Sequence, residues 1–499
     1  MPDADAAAAL LLGDSDIEFD ISRRRRIFCN RNLRMDSIDM VGFDMDYTIA
    51  LYHQDRLEAL SIKLTLDNMI KIYGYPDAIR GLTYDPSWAI RGIVVDRELG
   101  NIFKMDRHAH VGRCFHGFRK LTRDERKTVY RNEKINLSAD RYEWIDTLFG
   151  LPEAVMYATL VDWYDSSATA VDYSKLFSDI RASIDLAHRD DSLKTIIKAD
   201  LASYIMKDDQ LAETLHKLRS SGKKLFLLTN SLYDYTDAVM SYLLDGAISA
   251  YSSWRQYFDL VIVGGAKPLF FSQQRPFSQI DLATGQPLPD EVKGFMRDKV
   301  YQGGSSAQLE EFTRVSGDRV LYIGDHIYGD ILRLRKQHNW RTAMVLQELD
   351  REVAVAERFE GPIRDLELLD RRRRNLESEM DFQTLRYKRI VRTLEDTSVL
   401  SLPTVTRLED TRKQLKISID RLRERMEIMA EEVVSLQTMI ERGYNPHWGS
   451  CLREANDNSR FGEQVNDYAD IYTARVSNFV FYSPLRYFRA PRRLMPHEV

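Results

Sequence analysis

GFDMDYT, Gly42–Thr48, places two carboxylates one residue apart, directly after an apolar run and directly before a threonine. The run Ser37–Phe43 reads as a buried strand, which puts Asp44 and Asp46 at its C-terminal end. Alternation along the chain sends the two side chains in different directions, so one can attack a phosphorus atom while the other reaches the leaving oxygen as a proton donor. Asp and Thr at a strand end also make Asx-turns and helix caps, and the heptapeptide alone leaves both readings open.

Working outward, three later runs share its character: KKLFLLTNS, DLVIVGGAKP and RVLYIGDH. Each is β-rich and apolar and is followed at once by polar residues, and RTAMVL adds a fifth strand. Helical stretches lie between them, with Lys207–Ser220 before the second run and Tyr235–Leu244 after it. The pattern predicts an α/β fold, a doubly wound parallel sheet with its functional groups at the C-terminal strand ends. LFLLTNS supplies Thr229, Asn230 and Ser231, a hydroxyl and amides suited to phosphate oxygens near a helix start. GGAKP supplies Lys267, a cation for a phosphate and for Asp44. YIGDHIYGD supplies Asp325 and Asp330, the first placed to bind a hard divalent cation. Single residues of these types are common, but four in order at the ends of four buried strands resist a purely structural explanation.

The remaining chain divides around this core. Residues 1–24 form an N-terminal segment, 25–55 and 200–349 the catalytic core, and 56–199 an inserted α+β domain that can close over the strand ends as a cap. Within it, GIVVDRELGNIFKMD reads as a hairpin turning at Leu99–Asn101, and Ser174–Ala199 reads as helix. Residues 350–443 read as a helical hairpin. Leu408, Leu415, Leu422, Met429 and Leu436 recur every seven residues, and Ile419, Met426, Val433 and Ile440 fill the complementary positions, with Arg412 breaking the pattern. Such a stripe packs within its own fold or joins a second copy. Residues 444–499, rich in aromatics, are expected to pack back on the core.

Acidic residues number 76 against 71 basic ones, a formal net charge of -5, so the average field does not favour nucleic acid. The Arg runs at 23–26 and 371–374 have acidic neighbours and read as solvated faces or partner contacts. Cys29, Cys114 and Cys451 show no CxxC spacing, which fits a reducing compartment. With no basic leader and no apolar run long enough to span a bilayer, the chain is expected to be cytoplasmic, with no membrane partner.

The ordered set DxDxT, strand-terminal Thr, Lys and acidic pair resembles the haloacid dehalogenase-type phosphohydrolases. FDMDYTIALY, LFLLTNSLYDYTD, KPLFF, VYQGGSS, YIGDHIYGDIL and LMPHE narrow this to a resemblance to the cytosolic purine 5′-nucleotidase II family, which is specific for IMP and GMP. It runs from about Arg25 to the C-terminus and is faint over Val353–Gly443. The resemblance implies Asp44 as nucleophile, Asp46 as acid and base, and Mg2+ on Asp44, the Asp46 carbonyl and Asp325, with Asp330 in support. It also implies transfer of the phosphoryl group to nucleoside acceptors as well as to water, and a homo-oligomer, dimer or tetramer. Arg181, Asp185 and His188 share one helix face by spacing, which a surface salt bridge would also explain. In the family the matching positions contact the purine, with Lys194 nearby and Phe149 stacking on the base. An Arg there would donate to the O6 and N7 acceptors of hypoxanthine and guanine, which adenine does not share. Tyr328 and Lys336 match an effector site for purine nucleotides. Tyr328 stands for a Phe and Asn136 for a basic residue, so activation stays open. Another phosphomonoester, a sugar phosphate or pyrimidine nucleotide, is the alternative substrate, and an interaction scaffold built on the hairpin is the alternative role.

Overall fold

The computed structural model describes residues 21–499 apart from 168, 333–337, 397, 399, 493, 494, 496, 497 and 499. A ten-stranded sheet runs in the order Phe28–Cys29, Ile471–Thr473, Arg341–Val345, Val320–Gly324, Met40–Phe43, Lys224–Leu228, Leu260–Val263, Val300–Gly303, Phe277–Ile280 and Pro287–Glu291. All pairings from Ile471–Thr473 through Val300–Gly303 are parallel. From Met40–Phe43 the chain goes first to Lys224–Leu228 on one side and later to Val320–Gly324 on the other. That reversal makes a topological switch point, where an open α/β sheet leaves a crevice beyond its strand ends.

Burial on both faces explains the sequence of these strands. Val41, Phe43, Leu225, Phe226, Leu227 and Leu228 are all fully buried, each contributing about 1.5–3 kcal/mol for a large apolar side chain. Gly42 is required by the same packing, because a β-carbon there would enter the Phe226 ring of the neighbouring strand. The expected strand Ser37–Phe43 begins only at Met40, since Met35–Ser37 forms a 3-10 turn closed by Ile38 N–H on the Met35 carbonyl. Lys223 fixes that turn from below, with Nζ donating to the Met35 and Ile38 carbonyls. Likewise the helix expected from Lys207 begins at Leu211, because Asp208 turns the chain by accepting from the Gln210 N–H. The helix after the second strand starts earlier than expected, at Tyr233.

Leu51–Tyr52 and Ile205–Met206 pair antiparallel, so the way into the insertion and the way out form one ribbon. Between them stands a five-stranded antiparallel sheet containing the hairpin Ile93–Asp96 and Asn101–Met105. The helix Gln54–Tyr73 packs beside Leu151–Ser166 and Tyr173–Arg189. The single helix expected over Ser174–Ala199 is two, Tyr173–Arg189 and Ser192–Ala199, broken where Asp191 takes a left-handed φ of 59°.

Two long helices, Glu360–Glu395 and Leu402–Tyr444, form an antiparallel hairpin, with Pro403 in the first turn of the second. Leu415, Ile419, Leu422, Val433 and Ile440 of the heptad stripe are buried, as are Leu369, Leu376 and Ile390 on the facing helix. The stripe is thus covered within the chain. Strands with no clear sequence signal complete the sheet: Ile471–Thr473 from the aromatic tail, and the Phe277–Ile280, Pro287–Glu291 and Val300–Gly303 edge. No described helix is long and apolar enough to cross a membrane.

Candidate active site

Four parallel strands end around one point. Asp44 leaves the first, its backbone N–H held by the Ile323 carbonyl at 2.9 Å. The chain then closes a tight turn in which the Met45 carbonyl accepts from Thr48, Ile49 and Ala50, and Tyr47 adopts φ 56°. Such a value is rare outside glycine and marks a turn held by its surroundings. A simple cap does not account for this turn, since the Thr48 hydroxyl is buried with no partner among the described residues.

Lys267 arrives from the third strand and donates from Nζ to Asp44 Oδ1 at 2.7 Å, to Asp330 Oδ1 at 2.7 Å and to the Tyr322 hydroxyl at 3.1 Å. Burial alone would favour its neutral form, but Asp330 and Asp44 outweigh that and hold it charged. Its backbone is clamped by Asn230, whose Nδ2 donates to the Lys267 carbonyl at 3.0 Å and whose Oδ1 accepts the Lys267 N–H at 2.6 Å. Asn230 therefore positions Lys267 with its side chain. Thr229 is fully buried and its hydroxyl accepts from the Ser231 N–H at 3.1 Å.

Asp44, Asp325 and Asp330 each bring a carboxylate oxygen within 4.8 Å of the others. Burial, reinforced by Asp330, pushes the Asp325 carboxyl up to about 7, and burial pushes Asp44 well above the usual range against the pull of Lys267. Burial and mutual repulsion resist ionisation of Asp44 and Asp325, a penalty that a divalent cation among these hard oxygen donors would relieve, the chemistry that suits Mg2+. Gly324 makes room for this cluster, because a β-carbon there would lie 2.6 Å from Asp330 Oδ2.

Asp46 lives in different surroundings. Tyr52 donates its hydroxyl to Asp46 Oδ1 at 2.5 Å, and Ser231 donates to Oδ2 at 3.0 Å. The Tyr52 hydroxyl also lies 2.9 Å from that of Tyr235. Asp46 opens onto a cavity of about 290 Å3 whose other walls include Ser231, Asn230 and Tyr235 from the sheet side and Phe149, His188, Leu193 and Lys194 from the insertion. That is close to the lower end of small-molecule sites, roughly 300–1,000 Å3. Phe149 packs edge to face on Tyr47, with centroids 4.6 Å apart, and on His188 at 5.6 Å. Burial and nearby Lys194 both depress the His188 ring, keeping it neutral.

The structure thus gathers Asp44, Asp46, Thr229, Asn230, Ser231, Lys267, Asp325 and Asp330 at the strand ends, and Phe149, His188 and Lys194 at the cavity. Arg181 and Asp185 do not line it. Arg181 pairs with Glu143 and Glu153, both at 2.7 Å, and Asp185 is exposed on the same helix. Lys336 and the side chain of Tyr328 lie outside the described residues. Three participants were given no role by the sequence: Tyr52 and Tyr322, which stand inside FDMDYTIALY and YIGDHIYGDIL, and Arg91, which lies in no motif. Arg91 is fully buried, grips Glu348 through two nitrogens and donates to the Asp325 carbonyl at 2.9 Å. A lone Arg before a strand gives no hint of that reach. Tyr52 was at least visible in FDMDYTIALY, six residues after Asp46.

Residues 27–499 match the 5′ nucleotidase family. A 5′-nucleotidase domain-containing protein of Dictyostelium discoideum is 28% identical over 478 residues, which covers 95% of this chain and 74% of the relative. 5′-Nucleotidase domain-containing protein 2 of Rattus norvegicus is 27% identical over 485 residues, 95% of this chain and 80% of its own length. Among solved structures, a predicted phosphoglycolate phosphatase from Haemophilus somnus is similar over 62% of this chain and 85% of its own, at 11% identity and a TM-score of 0.25, too loose a superposition to add weight. On the match across nearly its whole length, the chain belongs to the 5′-nucleotidase family, hydrolases of phosphoric monoesters.

Proposed function

We propose that this protein is a Mg2+-dependent 5′-nucleotidase that hydrolyses IMP and GMP through an aspartyl-phosphate on Asp44, and that it passes the phosphoryl group to a nucleoside when one replaces water. The observation that carries the reading is the division of labour between two carboxylates: Asp44 on Lys267, and Asp46 on two hydroxyls at the mouth of a cavity. An Asp44 oxygen attacks phosphorus in line, the bond from phosphorus to the nucleoside 5′-oxygen breaks, and Asp46 gives that oxygen its proton. Asp46 then takes a proton from the water or nucleoside hydroxyl that attacks the same phosphorus, and Asp44 is regenerated. Lys267 neutralises charge on Asp44 and on the transferred group. The Ser231 and Thr229 strand end is suited to the phosphoryl oxygens. Held by Asp44, Asp325 and the Asp46 carbonyl, Mg2+ would supply further charge neutralisation there.

Nucleobase choice falls to the insertion. The donors that the insertion brings to the cavity are Lys194 and His188, which can face O6 and N7 of a 6-oxopurine, with Phe149 as the apolar wall. Arg181 is engaged by two carboxylates, which favours a second reading in which the base is not read by that Arg and another phosphomonoester, a pyrimidine nucleotide or sugar phosphate, is accepted. Phosphate release from IMP, GMP, AMP and UMP, with and without inosine as acceptor, tests both. A 6-oxopurine preference in the wild type and no phosphate release from Asp44→Asn are expected; activity surviving Asp44→Asn would sink the mechanism, and indifference to the base would sink the substrate assignment.

A further inference from the structure

Arg91 is a buried charge that the catalytic steps leave unused. It stands two residues before the insertion strand Ile93–Asp96, and none of its surface is exposed. Its Nε and Nη2 donate to the two carboxylate oxygens of Glu348, at 2.6 and 2.5 Å, and its Nη1 donates to the Asp325 carbonyl at 2.9 Å. The Phe461 ring, from the C-terminal segment, lies under the guanidinium with its centroid 5.1 Å away. Gly92 permits that approach, because a β-carbon there would come within 2.6 Å of Phe461 Cβ. One side chain of the insertion thus meets the core at two residues and the C-terminal segment at a third.

Taking a guanidinium out of water is costly, and the bidentate pair with Glu348 would by itself match its charge. A simple staple between two packed parts could spend the third nitrogen on any acceptor. Here the acceptor is the main-chain carbonyl of Asp325. The guanidinium is planar, so two bonds to Glu348 fix its plane and with it the direction of the third. That third bond holds the peptide from which the Asp325 side chain departs. The next residue is held from the insertion as well: His326 Nε2 lies 3.3 Å from Asp146, just beyond the insertion strand Tyr142–Ile145. On its core side the His326 N–H donates to Asp330 Oδ2 at 3.3 Å. The turn that carries Asp325 is therefore gripped by the insertion at both of its first residues.

We propose, on the reading of Asp325 as a Mg2+ ligand, that Arg91 is a positioning residue for the metal: through its bond to the Asp325 carbonyl, the insertion sets the Asp325 carboxylate for the cation. Removing a partner of this kind, one bond outside the ligand atoms, lowers metal affinity by roughly ten- to a hundred-fold.

Calorimetric titration of the full chain with MgCl2, well below the unfolding midpoint, compares the wild type with Arg91→Met/Glu348→Met and with Arg113→Met. Arg91→Met alone would strand the Glu348 charge, whereas replacing both members of a buried pair by apolar side chains commonly preserves a fold. Arg113 is the matched control. It too belongs to the insertion and joins a carbonyl and a carboxylate, those of Trp448 and of Glu441 at 2.6 Å, but these lie in the C-terminal segment and the helical hairpin. The Kd for Mg2+ is expected to rise roughly ten- to a hundred-fold in the double variant and to stay at the wild-type value in Arg113→Met, whatever either does to the unfolding midpoint. A wild-type Kd in the double variant overturns the positioning role. So does an equal rise in Arg113→Met, because the loss would then follow the docking of the insertion as a whole. Asp325→Asn separates the two levels of failure. Mg2+ bound as tightly by Asp325→Asn as by the wild type removes Asp325 as a ligand and the role of Arg91 with it, whereas a loss in Asp325→Asn alone removes only the role of Arg91.

Discussion

Replacing Tyr52 by phenylalanine isolates the proposed acid-base work of Asp46. Tyr52 is 2% exposed, and its hydroxyl supplies one of the two hydrogen bonds that hold the Asp46 carboxylate, the other coming from Ser231. The ring itself should stay, packed 5.0 Å from Tyr47 and 6.4 Å from Phe149 between centroids. A hydrogen bond to a charged group is worth about 1.5–3 kcal/mol, and at about 1.4 kcal/mol per decade its loss slows a step that needs the carboxylate in place by roughly ten- to a hundred-fold. That slowing should depend on the leaving group. A nucleoside 5′-oxygen needs a proton as its bond to phosphorus breaks, whereas nitrophenolate departs as an anion. The expected result is a fall in kcat on IMP with little change on p-nitrophenyl phosphate, measured side by side with Mg2+ present. Tyr235→Phe, which keeps the Tyr52–Asp46 bond, serves as the control and should leave both rates near wild type. Equal losses on the two substrates would refute the argument, because Tyr52 would then be supporting the fold or the phosphate site as a whole. No loss on either would mean that Ser231 alone aims Asp46.

Gly324→Ala should push Asp330 off Lys267, since the new β-carbon would lie 2.7 Å from both Cβ and Cγ of Asp330. Breaking that buried pair costs about 3–5 kcal/mol in urea unfolding, most of which should vanish in an Asp330→Gly background, and strictly additive losses would count against the clash. Burial raises the Glu58 carboxyl to about 7, so the folded chain keeps a proton that the unfolded chain releases near 4.5. This contribution to stability is complete below the unfolded value and is lost as pH climbs through 7, on the order of 3 kcal/mol. The stability difference between wild type and Glu58→Gln should therefore change between about pH 5 and about pH 8, and a flat difference would contradict it. Mg2+ at about a hundred times its Kd should stabilise the folded chain by about 2.7 kcal/mol. Asp325→Asn should abolish that gain, and an undiminished gain would remove Asp325 from the site.

The sheet and its strand-end residues were legible because both depend on local sequence. A strand covered on both faces must read as an apolar run, and the polar residues just after the run must stand at the sheet's C-terminal edge. Asp44, Thr229, Lys267 and Asp325 could therefore be placed by sequence alone. The Phe277–Ile280 and Pro287–Glu291 strands were not legible, since an antiparallel edge exposed on one side has no such run; Pro287, Asp290 and Glu291 are all exposed. Arg91 was hidden for another reason. Its partners, Glu348 and the Asp325 carbonyl, are more than two hundred residues away along the chain.

Arg181 shows where local reasoning stops even when its geometry is right. The spacing of Arg181, Asp185 and His188 predicted a shared helix face, and all three do lie on the helix Tyr173–Arg189. Spacing shows which side chains face together, but not what other elements bring to meet them. Here Glu143 comes from the strand Tyr142–Ile145 and Glu153 from the helix Leu151–Ser166, and both claim the guanidinium. Glu153 is itself buried, and burial raises its carboxyl to about 8 despite Arg181. To read a base, Arg181 would have to give up its pair with the Glu143 carboxylate and leave the buried Glu153, whose charged form burial already disfavours, without its cation, a cost that a neutral purine carbonyl does not offset. Lys194 and His188 are under no such constraint and already face the cavity. Substitution of Lys194 should therefore alter the ranking of the four nucleotides more than substitution of Arg181 does, and the reverse order would return the base to Arg181.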